Sequence, residues 1–258
     1  MNESVLDFYD ELTEDYHLLF ADWKRAVTWQ GDVLSRIIEA RLGGAREAAA
    51  LSLLDCSCGI GTQAIGLAQH GFRVTGTDLS PVSIARARRE AASFGVDIPF
   101  GMADFRTLAQ DVAGEFDVVL SADNAVPHLL TDEDLALAAR NMHAKVTAGG
   151  LLLLTMRDYD MLAQEKPGAS QPRTFDNGKR IVFQVWDWAD DAKTYRVNHF
   201  ILQETDGHWS TKHSQTRYRA LLRDELSHAL RTVGFSEIEW LMPEESGYYQ
   251  PVVTARKL

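Results

Sequence analysis

Five apolar segments alternate with helical segments between residues 51 and 156, and this alternation limits the possible folds more than any other feature. The predicted strands are "LSLLDC" (51–56), "FRVTGTD" (72–78), "DIPFGMAD" (97–104), "EFDVVLSAD" (115–123) and "GGLLLLTM" (149–156). Strands joined by helices pair in parallel, because each helical crossover brings the chain back to the end where the previous strand began. We therefore predict a parallel sheet with helices on both faces.

The flanking segments add a lid and an insertion to this sheet. The N-terminal segment carries aromatic and apolar residues at helical spacing, and three β-rich runs after the fifth strand indicate an antiparallel meander. The predicted fold class is α/β: a Rossmann-like seven-stranded mixed sheet, mostly parallel, with its last strand antiparallel. We expect a single domain, divided into a helical lid (1–45), a core (46–165 and 220–258) and the β-meander (166–219).

Composition excludes several functional classes. The formal net charge of −11 would repel a phosphate backbone, so we expect no nucleic-acid partner. No segment approaches the roughly 20 continuous apolar residues that span a bilayer, so we expect no membrane partner. The acidic start "MNESVLDFYDELTEDYH" lacks the features of a signal peptide. With only two cysteines, these features predict a cytoplasmic protein.

The loop after the first strand reads Gly59-x-Gly61-x-x-Ala64, and Asp78 ends the next strand. This pattern is close to a dinucleotide-binding fingerprint, so a nicotinamide or flavin enzyme stays a distant alternative. Asp55 beside the loop would repel a pyrophosphate but suits a cationic ligand such as S-adenosylmethionine. Acids also follow the third and fourth strands, at Asp104 and Asp123. Together they predict one ribose, adenine and methionine pocket at the switch point of the sheet.

Three segments resemble a known family. "LLDCSCGIGTQAIGLAQHGFRVTGTDLSPVSIARAR" (53–88) is similar to the first two motifs of class I S-adenosylmethionine-dependent methyltransferases. "ADNAVPHL" (122–129) and "MRDYDML" (156–162) resemble segments of the glycine/sarcosine N-methyltransferase-like group. The resemblance implies methyl transfer from S-adenosylmethionine to a small-molecule amine, with S-adenosylhomocysteine as product. An O- or C-methyltransferase and a non-catalytic binding protein remain alternatives, and the family hints at a homo-oligomer.

The resemblance also implies a cofactor site in which Asp78 binds both ribose hydroxyls. The implied cofactor-binding residues are Trp23, Trp29, Asp55, Ser57, Cys58, Gly59, Gly61, Thr62, Asp78, Leu79, Ala103, Asp104, Phe105, Ala122, Asp123 and His128. Cys56 and Cys58 are expected to be small buried residues, because neighbouring strand positions would strain a disulfide and no second cysteine pair completes a metal site. We expect no metal.

The acceptor pocket is expected beside the methionine end of the cofactor. In the family, the Arg157 position holds the substrate carboxylate, and a planar guanidinium suits that role. The chain departs from the family pattern at Met156 and Asp158, which leaves the acceptor open between glycine or sarcosine and a larger amine. The implied substrate-binding residues are Asn124, Arg157, Tyr159, Trp186 and Tyr218, and the implied catalytic residues are His128, Tyr16 and Tyr9. His199, His208 and His213 lack metal-ligand spacing and are expected at the surface.

Overall fold

The computed structural model describes residues 5–42, 51–191 and 193–258. The α-helices are α1 (Val5–Leu12), α2 (Trp23–Leu42), α3 (Thr62–Gln69), α4 (Pro81–Ser93), α5 (Leu108–Asp111), α6 (Asp132–Lys145), α7 (Tyr159–Glu165), α8 (Arg223–Thr232) and α9 (Pro243–Ser246). The strands are β1 (Ser52–Asp55), β2 (Arg73–Asp78), β3 (Phe100–Met102), β4 (Phe116–Ser121), β5 (Val146–Thr155), β6 (Arg173–Phe175), β7 (Arg180–Trp188), β8 (Thr194–Thr205), β9 (His208–Arg219), β10 (Phe235–Leu241) and β11 (Val252–Lys257).

The main sheet has seven strands in the order β10-β11-β5-β4-β1-β2-β3. Strands β1 to β5 pair in parallel, and β11 runs antiparallel to both of its neighbours. The predicted fold class is confirmed, including the antiparallel last strand. The chain steps from β1 to β2 and β3 in one direction and then returns to β4 on the other side of β1. This switch point opens a crevice at the carboxyl ends of the strands.

A second, antiparallel sheet has the order β6-β7-β8-β9 and contains the three predicted meander strands. Its additional strand, β6, is only three residues long, which is too short to show an alternating pattern in the sequence. The N-terminal segment forms α1, a 3₁₀-helix (Thr13–Leu19) and α2. The expected boundary between lid and core, at residues 45 and 46, lies outside the described residues.

Helix starts near the crevice follow from capping chemistry. The Ser80 hydroxyl accepts a hydrogen bond from the Ser83 N–H at 2.9 Å, and Pro81 occupies the first turn of α4. The Thr131 hydroxyl accepts from the Asp134 N–H at 3.1 Å at the start of α6. Among the described helices, none combines the length and the apolar character that a membrane span requires.

Helices α2 and α3 approach each other closely against the sheet. A side-chain Cβ at Gly66 would lie 2.4 Å from the Val27 carbonyl oxygen and 3.0 Å from the Gly31 Cα. The two glycines therefore let the helix backbones touch. This packing places the start of α3, which carries the glycine loop, in a fixed position against α2.

Candidate active site

A cleft with an empty volume of about 1050 Å³, part of it open to solvent, lies at the carboxyl ends of the parallel strands. Its walls come from the loops after β1, β2, β3 and β4 and from the N-terminal lid. The predicted site residues in these walls are Tyr9, Tyr16, Ser57, Cys58, Gly59, Thr62, Asp78, Leu79, Ala103, Asp104, Phe105, Ala122, Asp123 and His128. The cleft thus brings together residues that are more than 100 positions apart in the chain.

The glycine loop forms the floor of the cleft. Gly59 and Gly61 adopt φ angles of 50° and 95°, the left-handed region that glycine enters without steric cost. The Asp78 carboxylate accepts hydrogen bonds from the Gly59 N–H at 2.8 Å and the Ser80 N–H at 2.9 Å. Asp78 therefore fixes the loop and also presents a carboxylate to the cleft.

Acidic side chains dominate the electrostatics of the cleft. Within the described residues, Asp78 and Asp123 in the cleft wall and Asp55 beneath it form no ion pair with lysine or arginine, and burial raises the pKa of each. Asp104 differs, because burial would raise its pKa but hydrogen bonds from Arg106 outweigh this and lower the pKa. A site of this kind suits a ligand that carries positive charge and disfavours a pyrophosphate.

The lid reaches the cleft through a contact between Tyr9 and His128. The His128 Nδ1 lies 3.1 Å from the Arg217 carbonyl oxygen, so Nδ1 carries the proton. The His128 Nε2 then accepts from the Tyr9 hydroxyl at 3.0 Å. Burial lowers the pKa of His128 to about 3, so the imidazole is neutral at physiological pH.

Arg157 stands in a cluster that adjoins the cleft behind His128. Its guanidinium donates to the Tyr195 hydroxyl at 3.1 Å and to the Gln184 Oε1 at 3.0 Å. The guanidinium carbon lies 5.3 Å from the Trp186 ring centre and 5.4 Å from that of Tyr218. These partners are all uncharged.

Asn124 joins this cluster to the loop after β4. Its Oδ1 accepts from the Arg157 N–H at 3.1 Å and from the Tyr159 hydroxyl at 3.0 Å. Its buried Nδ2 makes no hydrogen bond to the described residues. The five predicted substrate-binding residues thus belong to one cluster next to the cleft, since the Tyr218 ring lies 4.2 Å from that of His128.

Other predicted cofactor residues lie outside the cleft wall. Asp55 is fully buried beneath the loop, where its carboxylate accepts from the Ser57 N–H at 3.3 Å. Trp23 donates from Nε1 to the Thr62 hydroxyl at 3.0 Å, behind the wall. Gly61 is the N-cap of α3, and Trp29 stacks on the ring of Tyr248. These residues support the wall from behind.

His199 corrects one sequence expectation. It was expected at the surface, but only 7% of it is exposed, and its ring contacts the Gln184 amide at 2.5 Å. Its strand alternates buried and half-buried residues, and His199 shares the buried face with Tyr195, Val197 and Ile201. The period-two pattern of β8 could have revealed this position.

Sequence reasoning missed several residues beside Asp123. Its Oδ1 accepts from the hydroxyls of Tyr248, at 2.8 Å, and Tyr249. Behind them, the Gln30 Oε1 lies 2.6 Å from the Tyr248 oxygen, where it shares the single hydroxyl hydrogen of Tyr248 with Asp123, and it accepts from the Gln63 Nε2 at 2.7 Å. The tyrosines lie about half the chain away from Asp123, so no local motif links them.

Comparisons with known proteins agree with this architecture. A family model described as "Methyltransferase domain" matches residues 53–150. A glycine/sarcosine N-methyltransferase of Parasynechococcus marenigrum (strain WH8102) is 33% identical over 162 residues, which cover 60% of this chain and 55% of that protein. The glycine N-methyltransferase of Homo sapiens is 33% identical over 194 residues, covering 68% of this chain and 63% of that protein.

A solved structure of an S-adenosylmethionine-dependent methyltransferase from Clostridium acetobutylicum ATCC 824 shares the fold. It has a TM-score of 0.72 at 14% identity and covers 96% of this chain and 97% of its own. With the sheet order and the acidic cleft, these likenesses place the chain among the class I S-adenosylmethionine-dependent methyltransferases. The cofactor of that class is S-adenosylmethionine, whose positive charge fits the acidic cleft. The chain spans 55% and 63% of the lengths of the two curated relatives.

Asp55 should make the stability of the ligand-free protein depend on pH. Burial raises the pKa of Asp55 to about 8, whereas an unfolded chain has a value of about 4. Between these values the folded state binds more protons than the unfolded state, so the free energy of unfolding falls as the pH rises. Urea denaturation from about pH 5 to about pH 8 should show this fall, and Asp55→Asn should make it shallower, with the remainder due to Asp78 and Asp123. An equal slope in both proteins would contradict the assignment.

Proposed function

We propose that this protein transfers the methyl group of S-adenosylmethionine to the amine of a small molecule that also carries a carboxylate. The names of the two curated relatives support an amine acceptor. The observation that carries the proposal is the Arg157 guanidinium, which lacks an acidic partner within the described residues. The net charge of −11 further supports a small-molecule acceptor over a nucleic acid.

The surroundings of Arg157 favour an anionic ligand. The two acids that are its neighbours in sequence, Asp158 and Asp160, pair instead with Arg223 at 3.5 Å and 2.9 Å. A cation held among uncharged groups away from water is costly, and a carboxylate would offset that cost with two parallel hydrogen bonds. The buried Nδ2 of Asn124 is another donor in the same cluster.

The remaining roles follow from the walls of the cleft. When bound, S-adenosylmethionine supplies a methyl group on a cationic sulfur, which is already activated for displacement. Asp78 would accept hydrogen bonds from the ribose hydroxyls, and Asp104 with Phe105 would contact the adenine. Tyr9 and Tyr16, on the lid, would exclude water and align the acceptor, and alignment can contribute about 7–11 kcal/mol to the rate enhancement.

We assign His128 a positioning role. An amine can attack only through a free lone pair, so an ammonium acceptor must first lose a proton, which passes to water before methyl transfer. The neutral His128 already accepts a hydrogen bond from the Tyr9 hydroxyl, and a pKa of about 3 makes it a poor base at neutral pH. His128 therefore holds the Tyr9 hydroxyl so that its oxygen lone pairs are available to an N–H group of the acceptor.

The proposed function is tested by calorimetric titration with S-adenosylmethionine and by transfer of a radiolabelled methyl group. The acceptor panel contains glycine, sarcosine, larger amino acids, amines without a carboxylate, and phenols. We expect binding of the cofactor and methylation of amines that carry a carboxylate. Transfer only to phenols, or the absence of cofactor binding at millimolar concentration in a folded sample, would overturn the proposal.

Asp78→Ala should weaken the binding of S-adenosylmethionine by about 1–3 kcal/mol, because the ribose hydroxyls would lose a charged acceptor. Isothermal titration measures the loss. Asp97→Ala, at an exposed position outside the cleft, is the matched control and should bind like the unaltered protein. Equal affinities of the two variants would argue against the ribose contact.

A further inference from the structure

The loop of residues 247–251, between α9 and β11, packs against the turn after β4. Two of its side chains, Tyr248 and Tyr249, donate their hydroxyl hydrogens to the Oδ1 of Asp123. Tyr248 is 1% exposed and Tyr249 is 48% exposed, so one tyrosine anchors the loop and the other lies half exposed beside Asp123. None of the site residues predicted from the sequence lies in this loop.

Asp123 has an unusual backbone conformation. Its φ angle is 57°, and that of Asn124 is 69°, in the left-handed region that residues with a side chain rarely enter. Asparagine and aspartate tolerate this region better than other non-glycine residues. The conformation turns the Asp123 carboxylate into the wall of the cleft.

A second, independent connection ties the same loop to Asp123. The Asp123 N–H donates to the Thr155 hydroxyl at 2.9 Å, and this hydroxyl donates to the Gln250 Oε1 at 3.1 Å. The Met156 N–H donates to the Pro251 carbonyl at 3.3 Å. The loop therefore holds both the backbone and the side chain of Asp123.

Tyr248 is itself braced from the lid side. Its ring stacks on that of Trp29 with centres 5.8 Å apart and planes at 6°. The Gln30 Oε1 lies 2.6 Å from the Tyr248 oxygen and shares the single hydroxyl hydrogen of Tyr248 with the Asp123 Oδ1. Helix α2 and the loop thus fix the two tyrosine donors on the Asp123 Oδ1, and Gln63 adds a hydrogen bond to the same carboxylate. A carboxylate offers about four lone-pair sites, so Asp123 can accept from a further donor.

The position of Asp123 in the sheet identifies what that donor is. Asp78 follows β2 and Asp104 follows β3, on one side of β1, whereas Asp123 follows β4 on the other side. If the ribose and adenine of the cofactor lie over β2 and β3, its amino-acid end reaches across β1 to Asp123. The cationic group at that end, apart from the sulfur, is the α-ammonium.

We propose that the loop of residues 247–251 is part of the cofactor site, and that Tyr248 and Tyr249 orient the Asp123 carboxylate to accept hydrogen bonds from the α-ammonium group of the cofactor. This inference rests on the proposed function, because it assumes that the cleft holds S-adenosylmethionine. It adds Tyr248 and Tyr249 as positioning residues, and it gives Trp29 the role of bracing Tyr248.

The test compares two ligands that differ at the amino-acid end. S-adenosylhomocysteine carries the α-ammonium, and 5′-methylthioadenosine lacks the whole amino-acid portion. Asp123→Asn keeps the shape of the side chain and tolerates the left-handed backbone, so it changes mainly the charge. By calorimetric titration, we expect Asp123→Asn to weaken S-adenosylhomocysteine about tenfold or more and to leave 5′-methylthioadenosine within about twofold.

Two further variants sharpen the result. Tyr249→Phe removes one of the orienting hydroxyls and should weaken S-adenosylhomocysteine about threefold to tenfold, again without changing the affinity for 5′-methylthioadenosine. Asp104→Asn, on the adenine side, should weaken both ligands alike. The inference is overturned if Asp123→Asn weakens both ligands equally or neither. If the unaltered protein binds neither ligand, the proposed function itself fails.

Discussion

Replacing Arg157 with methionine is expected to lower kcat/KM for a carboxylate-bearing amine by about 100- to 1,000-fold, because the acceptor loses two charge-assisted hydrogen bonds. The methionine side chain can still pack between the rings of Trp186 and Tyr218. The fall in kcat/KM therefore measures mainly the removal of the positive charge and not a change in side-chain volume. Steady-state kinetics with the best acceptor of the panel measure it. The binding of S-adenosylmethionine should stay the same, because Arg157 does not line the cofactor cleft.

The Arg157→Lys variant is the matched control. It keeps the positive charge but loses the planar fork, so it should recover part of the activity without reaching that of the unaltered protein. An acceptor amine without a carboxylate should be methylated equally slowly by all three proteins. If Arg157→Met slows that amine as strongly as the carboxylate-bearing one, Arg157 has a structural role and does not recognise the acceptor.

Gly66→Ala is expected to destabilise the protein by about 3 kcal/mol or more, through overpacking between α2 and α3. The added methyl group would lie 2.4 Å from the Val27 carbonyl oxygen, and backbone atoms cannot move aside as a flexible side chain can. Urea denaturation measures the free energy of unfolding. Because α3 begins at the glycine loop, we also expect weaker cofactor binding in whatever fraction folds.

Gly168→Ala is the control for Gly66→Ala. A Cβ at Gly168 would meet no atom within 4 Å, and the residue is not in the left-handed region, so its substitution should change the free energy of unfolding by less than about 0.5 kcal/mol. Similar free energies of unfolding for the two variants would mean that α2 and α3 can separate without cost.

The sequence predicted the main sheet because its central strands are buried on both faces. The second half of β5, which contains four consecutive leucines, is buried on both faces and leaves an uninterrupted apolar run in the sequence. The floor of the cleft could also be predicted from the sequence, because the glycine loop and Asp78 belong to elements that are neighbours in the chain. Asp104 and Asp123 could be grouped with them because the carboxyl ends of parallel strands meet at one edge of the sheet.

Features that depend on distant contacts escaped prediction. Nothing near Tyr248 and Tyr249 in the sequence points to Asp123, because their contact arises only when β11 pairs with β5. The sequence proposed Asp55 as a ligand-facing acid, but whether an acid at a strand end points outward or beneath a loop depends on the path of the backbone. The proton on His128 was likewise unpredictable, because the Arg217 carbonyl that fixes it comes from the inserted meander.

The direction of β11 determines which of the last connecting segments lies beside the cleft. Because β11 runs against its neighbours, its first residue, and not its last, lies at the edge where the parallel strands end. The segment between β10 and β11 therefore arrives beside the cleft, whereas the turn between α8 and β10 lies at the opposite edge. If the loop of residues 247–251 is part of the cofactor site, as we propose, a change in chain length before β11 would alter that site, and a change before β10 would leave it intact.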